Sequence, residues 1–215
     1  MSSDSSAARA RMVEEQLRRR GIVDERVLAA MGTVPRELFV RPEHRDLAYE
    51  DGALPIGHGQ TISQPFIVGV ICSLLELGGN ERVLDVGTGS GYQAAVLAEL
   101  AAEVTTIERI PELGEVARVA LLEAGYADVD VRDGDGSLGV PEKAPFDGIA
   151  IAAAAPTTPE PLYDELADGG RIVLPKGSRW GQVLVQVVKS ADGPNERRSV
   201  PCRFVPLLGE EGFTG

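Results

Sequence analysis

The stretch Val83-Leu84-Asp85-Val86-Gly87-Thr88-Gly89-Ser90-Gly91-Tyr92 constrains the fold of this 215-residue chain more than any other. An apolar run carries an acid near its end, three alternating glycines make a turn, and a helix-forming segment, Gln93 to Ala102, follows at once. Strand, glycine-rich turn and helix in that order let backbone approach a nucleotide-like ligand at a helix N-terminus. The next acid at a predicted strand end is Glu108, in Val104-Thr105-Thr106-Ile107-Glu108, 23 positions beyond Asp85. That is close to the spacing at which an acid reaches ribose hydroxyls in α/β nucleotide folds.

Details narrow the ligand. The third glycine of a dinucleotide fingerprint would fall at position 92, which is Tyr92, and no Lys-Ser/Thr pair follows Gly91 as a P-loop requires. The bland alternative is a glycine turn that only packs a helix close to a sheet. Asp85 and Glu108 together favour the ligand.

Bulk properties exclude several classes. A net charge of −12, from 21 basic and 33 acidic residues, repels phosphate backbones and anionic lipid, so neither nucleic acid nor membrane is an expected partner. Met1 to Ala10 does not resemble a signal peptide, and the longest apolar segment, Ile67 to Leu77, is too short to span a bilayer. Cys72 and Cys202 are far apart in apolar contexts, which predicts free thiols and a cytoplasmic protein. With two histidines, His44 and His58, and neither H-E-x-x-H nor C-x-x-C, no metal site is expected. A G-x-S-x-G nucleophile elbow is also missing. His58, between Gly57 and Gly59, reads as a turn histidine.

Periodicity predicts a helix over Ala7–Arg20 stopped by Gly21, and a second from an Asp24 cap through Met31. Leu54 to Gln60 reads as a glycine-bearing loop with too few apolar contacts for a strand. An apolar helix runs from Pro65 to Leu77, closed by Gly78-Gly79. Strands are then predicted at 82–86, 104–108, 129–132, 146–152 and 171–174, with helices at 93–102, 111–125 and 159–167. The alternation specifies an α/β fold with a doubly wound, mostly parallel sheet. Trp180–Lys189 and Ser199–Leu207 read as two late strands joined by a polar turn, Ser190 to Arg198. The expected organisation is an N-terminal helical segment (1–80) carrying an active-site loop, an α/β core (81–190) and a C-terminal extension (191–215), in one compact domain.

Ligands of open parallel sheets sit beyond the carboxyl ends of the strands. Asp85 to Gly91, Glu108, Gly134-Asp135-Gly136 and Ala153 to Pro156 all fall there. Asp135 suits a hydrogen bond from an adenine amino group, although Asp-Gly also makes Asx-turns; its register with the other segments favours the ligand. In Gln60-Thr61-Ile62-Ser63-Gln64-Pro65, Ser63 sits where an N-cap belongs, with Pro65 in the first turn. The same geometry suits a carboxylate held by free N–H groups and a serine hydroxyl. Sequence does not separate the two.

The glycine pattern Asp-Val-Gly-Thr-Gly is that of S-adenosylmethionine (SAM)-dependent methyltransferases broadly, a Rossmann-like fold. Beyond it, the chain resembles the protein-L-isoaspartate O-methyltransferase family nearly end to end. The resemblance lies in Val34-Pro35-Arg36-Glu37-Leu38-Phe39-Val40, Leu54-Pro55-Ile56-Gly57, Gly59 to Pro65, Val83 to Gln93 and Gly134-Asp135-Gly136. It continues through Ala144-Pro145-Phe146-Asp147, Gly169-Gly170-Arg171, Pro175 and Arg203-Phe204-Val205-Pro206-Leu207. The Thr-Ile-Ser-x-Pro segment and the Phe-Val-Pro-Leu tail are specific to it. His58, Phe66 and Gly69-Val70-Ile71 depart from common family residues.

The resemblance implies methyl transfer from SAM, giving S-adenosylhomocysteine, to the free carboxylate of isoaspartyl residues, starting repair through a succinimide; D-aspartyl sites stay open. Ser63 would be the catalytic serine. Thr61, Ile62, Asp85, Gly87, Thr88, Gly89, Gly91, Glu108, Asp135 and Gly136 would bind the cofactor, with Glu108 on the ribose and Asp135-Gly136 on the adenine. Gln60, Ser63, Pro65, Val205, Pro206 and Leu207 would bind substrate. The implied partners are isoaspartyl peptides and unfolded or aged proteins, and the implied state a monomer. A carboxylate with a pKa near ~4 is ionised at neutral pH and needs no general base. Competing readings are a methyltransferase of small molecules and a SAM-binding protein without activity.

Overall fold

The computed structural model describes residues 3–213. The N-terminal helix changes register as it goes: α1 (Ser3–Arg11), a π-helical run Met12–Leu17, then a 3-10 turn Arg18–Arg20. Met12 and Leu17 are buried. Gly21 ends the run at φ 98°, its N–H donating to Arg18 O, a conformation that glycine adopts without a Cβ clash. α2 (Glu25–Thr33) starts at the predicted cap: the Asp24 carboxylate accepts from Arg26 N–H at 2.9 Å and Val27 N–H at 3.4 Å.

Two sequence expectations fail in the next stretch. Leu54 to Gln60 is not a loop: β1 (Leu54–Gly57) pairs antiparallel with β2 (Gln60–Ile62). His58 and Gly59 turn the hairpin at φ 52° and 71°, the left-handed pair a two-residue turn needs. Strands this short show no usable periodicity, and Leu54 and Ile56 anchor the hairpin by packing against the main core. α3 (Pro65–Leu75) ends before Leu77, because Glu76 itself turns left-handed at φ 52°. Its carboxylate is held by Arg171 Nη2 at 2.9 Å and Gln186 Nε2 at 3.2 Å, so tertiary bonds offset a strain that sequence assigned to glycine.

The remainder alternates: β3 (Arg82–Val86), α4 (Tyr92–Ala98), β4 (Glu103–Glu108), α5 (Pro111–Ala124), β5 (Asp130–Asp133), β6 (Phe146–Ile151), α6 (Glu160–Asp164), β7 (Leu166–Gly177), β8 (Gln182–Ser190) and β9 (Gly193–Cys202). The sheet order is β5-β4-β3-β6-β7-β8-β9. The first five strands are parallel and the last two antiparallel. α6 stops short of Ala167 because Leu166 already pairs with Phe146. The polar run expected to be a turn is mostly strand, with only Ala191 and Asp192 between β8 and β9. Its charges sit on an exposed edge strand, where they discourage further pairing. The late strand expected through Leu207 leaves the sheet after Cys202, and Pro206 bridges to Ala154 instead.

Side chains of β3 alternate between the two faces. Val83 joins a core built with Met12, Met31, Ile71 and Leu97, while Leu84 and Val86 join one with Ile149, Leu162 and Leu174. The first core spans position 80, so the N-terminal segment and the sheet share one interior. Cys72 and Cys202 are free thiols. Among the described residues no helix is long and apolar enough to cross a membrane, and no His/Cys/Asp/Glu group is placed to hold a metal ion. The chain passes from β3 outward to β5, then back across β3 to β6. Between those two strands lies the crevice where this topology opens.

Candidate active site

A cleft opens there, walled by Val86 to Ser90, Ile107 to Ile110, Gly136, Ala152 and Ala153 from the sheet, Gln60 to Ser63 from the hairpin, and Val205 to Leu208 from the tail. The turn after β3 is possible because Gly87 and Gly89 take φ of 93° and 54°. Gly87 N–H and Thr88 N–H both donate to Ile107 O, at 2.9 and 3.3 Å. Gly136 is close to its neighbours by necessity: a Cβ there would stand 2.7 Å from Val86 Cγ1.

Glu108 is buried at the wall. Its Oε2 accepts from Gly89 N–H at 2.8 Å and its Oε1 from Ile110 N–H at 3.0 Å. A carboxylate has about four acceptor positions, so roughly half remain for donors of a ligand.

Four residues expected to touch a ligand stand back from the wall. Asp85 is fully buried behind it. Gln93 Nε2 donates to its Oδ1 at 2.7 Å, and Thr106 Oγ1 to its Oδ2 at 3.2 Å. The Thr106 hydroxyl also meets that of Thr88 at 2.7 Å. Thr88 and Gln93 are the groups that reach the cleft, and Asp85 acts on it through them. Burial pushes the Asp85 carboxyl up to about 7, against the hydrogen bonds from Gln93 and Thr106 and with help from Glu108. Gly91 serves packing: a Cβ would meet Leu121 at 3.2 Å and Ala117 at 3.4 Å on α5.

Asp135 makes the Asx-type turn. Its Oδ1 accepts from Ser137 N–H (2.9 Å) and Ser137 Oγ (2.7 Å), its Oδ2 from Glu210 N–H (2.9 Å). Burial pushes its carboxyl up, but those donors and nearby Arg109 hold it below the usual range. Ser137 Oγ in turn accepts from Glu211 N–H at 3.1 Å, so this pair fastens the tail that closes the cleft. Pro65, at the start of α3, is buried and off the wall.

Ser63 lines the cleft and does not cap α3: the cap position is Gln64, and no side chain bonds there. Among the described residues its hydroxyl has no hydrogen-bond partner. Its carbonyl accepts from Arg36 Nη2 at 2.8 Å. The opposite wall is set by pairing, with Ala154 N–H donating to Val205 O at 2.8 Å and Leu207 N–H to Ala154 O at 2.7 Å. Sequence reasoning placed Val68 on the cofactor side but missed Tyr92, Gln93, Ile110 and Leu208 at the wall. Gln93 alone had a signal, a polar residue one position beyond the turn on an otherwise apolar helix.

A Rossmann-like sheet with this glycine turn and strand-end acid defines the class, a SAM-dependent methyltransferase fold. The sequence profile described as protein-L-isoaspartate(D-aspartate) O-methyltransferase (PCMT) matches residues 8–212, and the chain belongs to that family. Protein-L-isoaspartate O-methyltransferase 2 of Marinobacter nauticus is 56% identical over 213 residues, covering 98% of this chain and 97% of the relative. A solved protein-L-isoaspartate O-methyltransferase superposes with a TM-score of 0.84 at 27% identity, over 95% of this chain and 67% of that one. A putative protein-L-isoaspartate O-methyltransferase from Plasmodium falciparum, solved with S-adenosyl-L-homocysteine, gives 0.80 at 26% identity over 93% and 98%.

Proposed function

We propose that this protein transfers a methyl group from SAM to the free carboxylate of L-isoaspartyl residues in proteins and peptides. The observation that carries it is the placement of Ser63, its hydroxyl unengaged, across one cleft from the Gly87–Gly89 turn and Glu108. Family membership supplies the chemistry, and these residues suit it.

The cleft fits the cofactor. Glu108 keeps acceptor capacity for ribose hydroxyls; Gly87 and Gly136 allow close backbone approach; Ile107, Ile110 and Leu208 offer apolar surface for a flat base. Thr88 and Gln93, oriented by Asp85, line the cleft in the role sequence gave to Asp85. SAM, when bound, supplies a methyl carbon activated by its sulfonium.

The protein's task is alignment. An ionised acceptor carboxylate needs no base, and the site offers no His–acid pair. Ser63 donates one hydrogen bond to the acceptor, which holds one oxygen and leaves the other free to attack. Val205 to Leu207 and the hairpin narrow the cleft, which excludes water and fixes the approach. The pairing of Val205 and Leu207 with Ala154 fixes that wall in place, so that it sets the path of an incoming peptide chain. The free thiols support a reducing cytoplasmic setting, and the net charge of −12 disfavours nucleic acid as a substrate.

Repair itself is the test. An isoaspartyl peptide incubated with protein and SAM is followed by chromatography over repeated methylation and hydrolysis. The normal aspartyl peptide should accumulate only when SAM is present. Equal conversion without SAM would sink the proposal.

A further inference from the structure

Arg36 is fully buried on the 3-10 turn Arg36–Leu38, in a part of the chain that contributes nothing to the cleft wall. Its Nε donates to Ala48 O at 2.7 Å and its Nη2 to Ser63 O at 2.8 Å. The guanidinium lies 4.7 Å from the centroid of the Tyr92 ring, and Tyr92 is itself a wall residue. Its Nη1 is buried with no partner in good hydrogen-bond geometry among the described residues, but the Tyr92 hydroxyl is near enough that each group favours the other's charged form. The bonded partners of this cation are therefore two carbonyls and an aromatic face, with no carboxylate among them.

A buried charge without a counterion is costly, and a clamp between two carbonyls needs only neutral donors. The planar fork of arginine explains the two-point reach; its charge needs another reason. A second buried cation, Arg9, also acts on Tyr92 from this side, while the carboxylates of the cleft lie on the cofactor side. Glu108 sits at the wall, Asp85 lies behind Gln93, and Arg109, which does line the wall, lies beside Asp135.

We propose that Arg36 is the positioning residue of the acceptor side. It fixes Ser63 through its carbonyl, and its unneutralised charge under that loop favours an anionic acceptor. The proposal rests on the carboxyl-methyl-transfer reading above. Arg36 touches neither substrate nor cofactor; it acts through Ser63, whose carbonyl it holds, and through its field, which protein interior screens less than water does.

The test compares two nearly isosteric ligands, one charged and one neutral: an isoaspartyl peptide, and its counterpart with the free carboxyl converted to an amide. Affinities for both are measured by calorimetry with S-adenosylhomocysteine present, for the parent, Arg36→Met and Arg36→Lys. Arg36→Met should weaken the acid about tenfold and the amide less than about threefold. Affinity for S-adenosylhomocysteine alone should stay within about twofold. Equal losses for acid and amide would leave Arg36 a structural residue and overturn the proposal. Arg36→Lys keeps the charge but cannot span both carbonyls. It should retain the parent's preference for the acid and lose about tenfold in kcat; parent-like kcat would refute the clamp, and a lost preference would refute the field, even if Arg36→Met fails to fold. A parent that does not methylate the acid refutes the reading beneath, which is a separate result.

Discussion

The carboxylate of Glu108 accepts the backbone N–H of Gly89 at 2.8 Å, so the end of β4 and the glycine turn after β3 form one unit. Glu108→Gln should therefore be harsher than its shape suggests. The new amide NH2 would face Gly89 N–H or Ile110 N–H, donor against donor, and the turn would lose a tether. Affinity for S-adenosylhomocysteine, read by calorimetry, should fall roughly 10- to 100-fold. A change within about twofold would remove Glu108 from the cofactor site.

Asp85 should make the unliganded protein less stable as pH rises. Its folded pKa is raised to about 7 by burial, above the unfolded value near ~3.9. Between those values the folded state binds more protons than the unfolded one, so stability falls as pH climbs through the window and the loss is complete above about 7. Urea unfolding at pH 5 and pH 8 should differ by roughly 1–3 kcal/mol more in the parent than in Asp85→Asn, which cannot ionise. The same pH slope in both proteins would contradict the buried-acid assignment.

Ser63→Ala now has a sharper meaning than sequence allowed. With no cap bond to lose, melting should stay within about 2 °C of the parent. Loss of a hydrogen bond to the charged acceptor should lower kcat/KM roughly 10- to 150-fold. Methyl transfer by the folded variant at parent rates would end the catalytic role of Ser63.

Much of this was legible in the chain, and the failures have physical causes. β3 and β6 announce themselves because strands buried on both faces are nearly continuous apolar runs, and Gly87 follows β3 directly; the short polar β5 is read from the alternation around it. Asp85 carries the same motif signal yet stands behind the wall, because sequence spacing fixes which strand end a residue occupies and leaves its depth open. Gly91 looked like a ligand glycine, but its constraint comes from Leu121 and Ala117, residues far along the chain. Ser63 and Pro65 matched cap statistics, whereas Arg36, 27 residues away, holds the Ser63 carbonyl. Such long-range bonds leave no local pattern.

Asp135 ties the tail to the cleft through Glu210 N–H and, by way of Ser137, Glu211 N–H. Asp135→Ala should expose both amides to faster hydrogen exchange while those of β3 and β6 keep their protection. It should also weaken S-adenosylhomocysteine binding, since Leu207 and Leu208 lose their anchored position, and Asp135→Asn, which keeps one acceptor oxygen, should do so less. Unchanged exchange at Glu210 and Glu211 would show that the tail is held elsewhere.

The central claim is that Ser63 and the glycine turn serve transfer to an isoaspartyl carboxylate. Its most direct test is single-turnover methyl transfer from labelled SAM to two peptides of one sequence, one with an isoaspartyl linkage and one with normal aspartate. Label should pass to the isoaspartyl peptide at least about 100-fold faster and leave as a base-labile ester. Equal labelling of the two peptides, or labelling of neither, would contradict it.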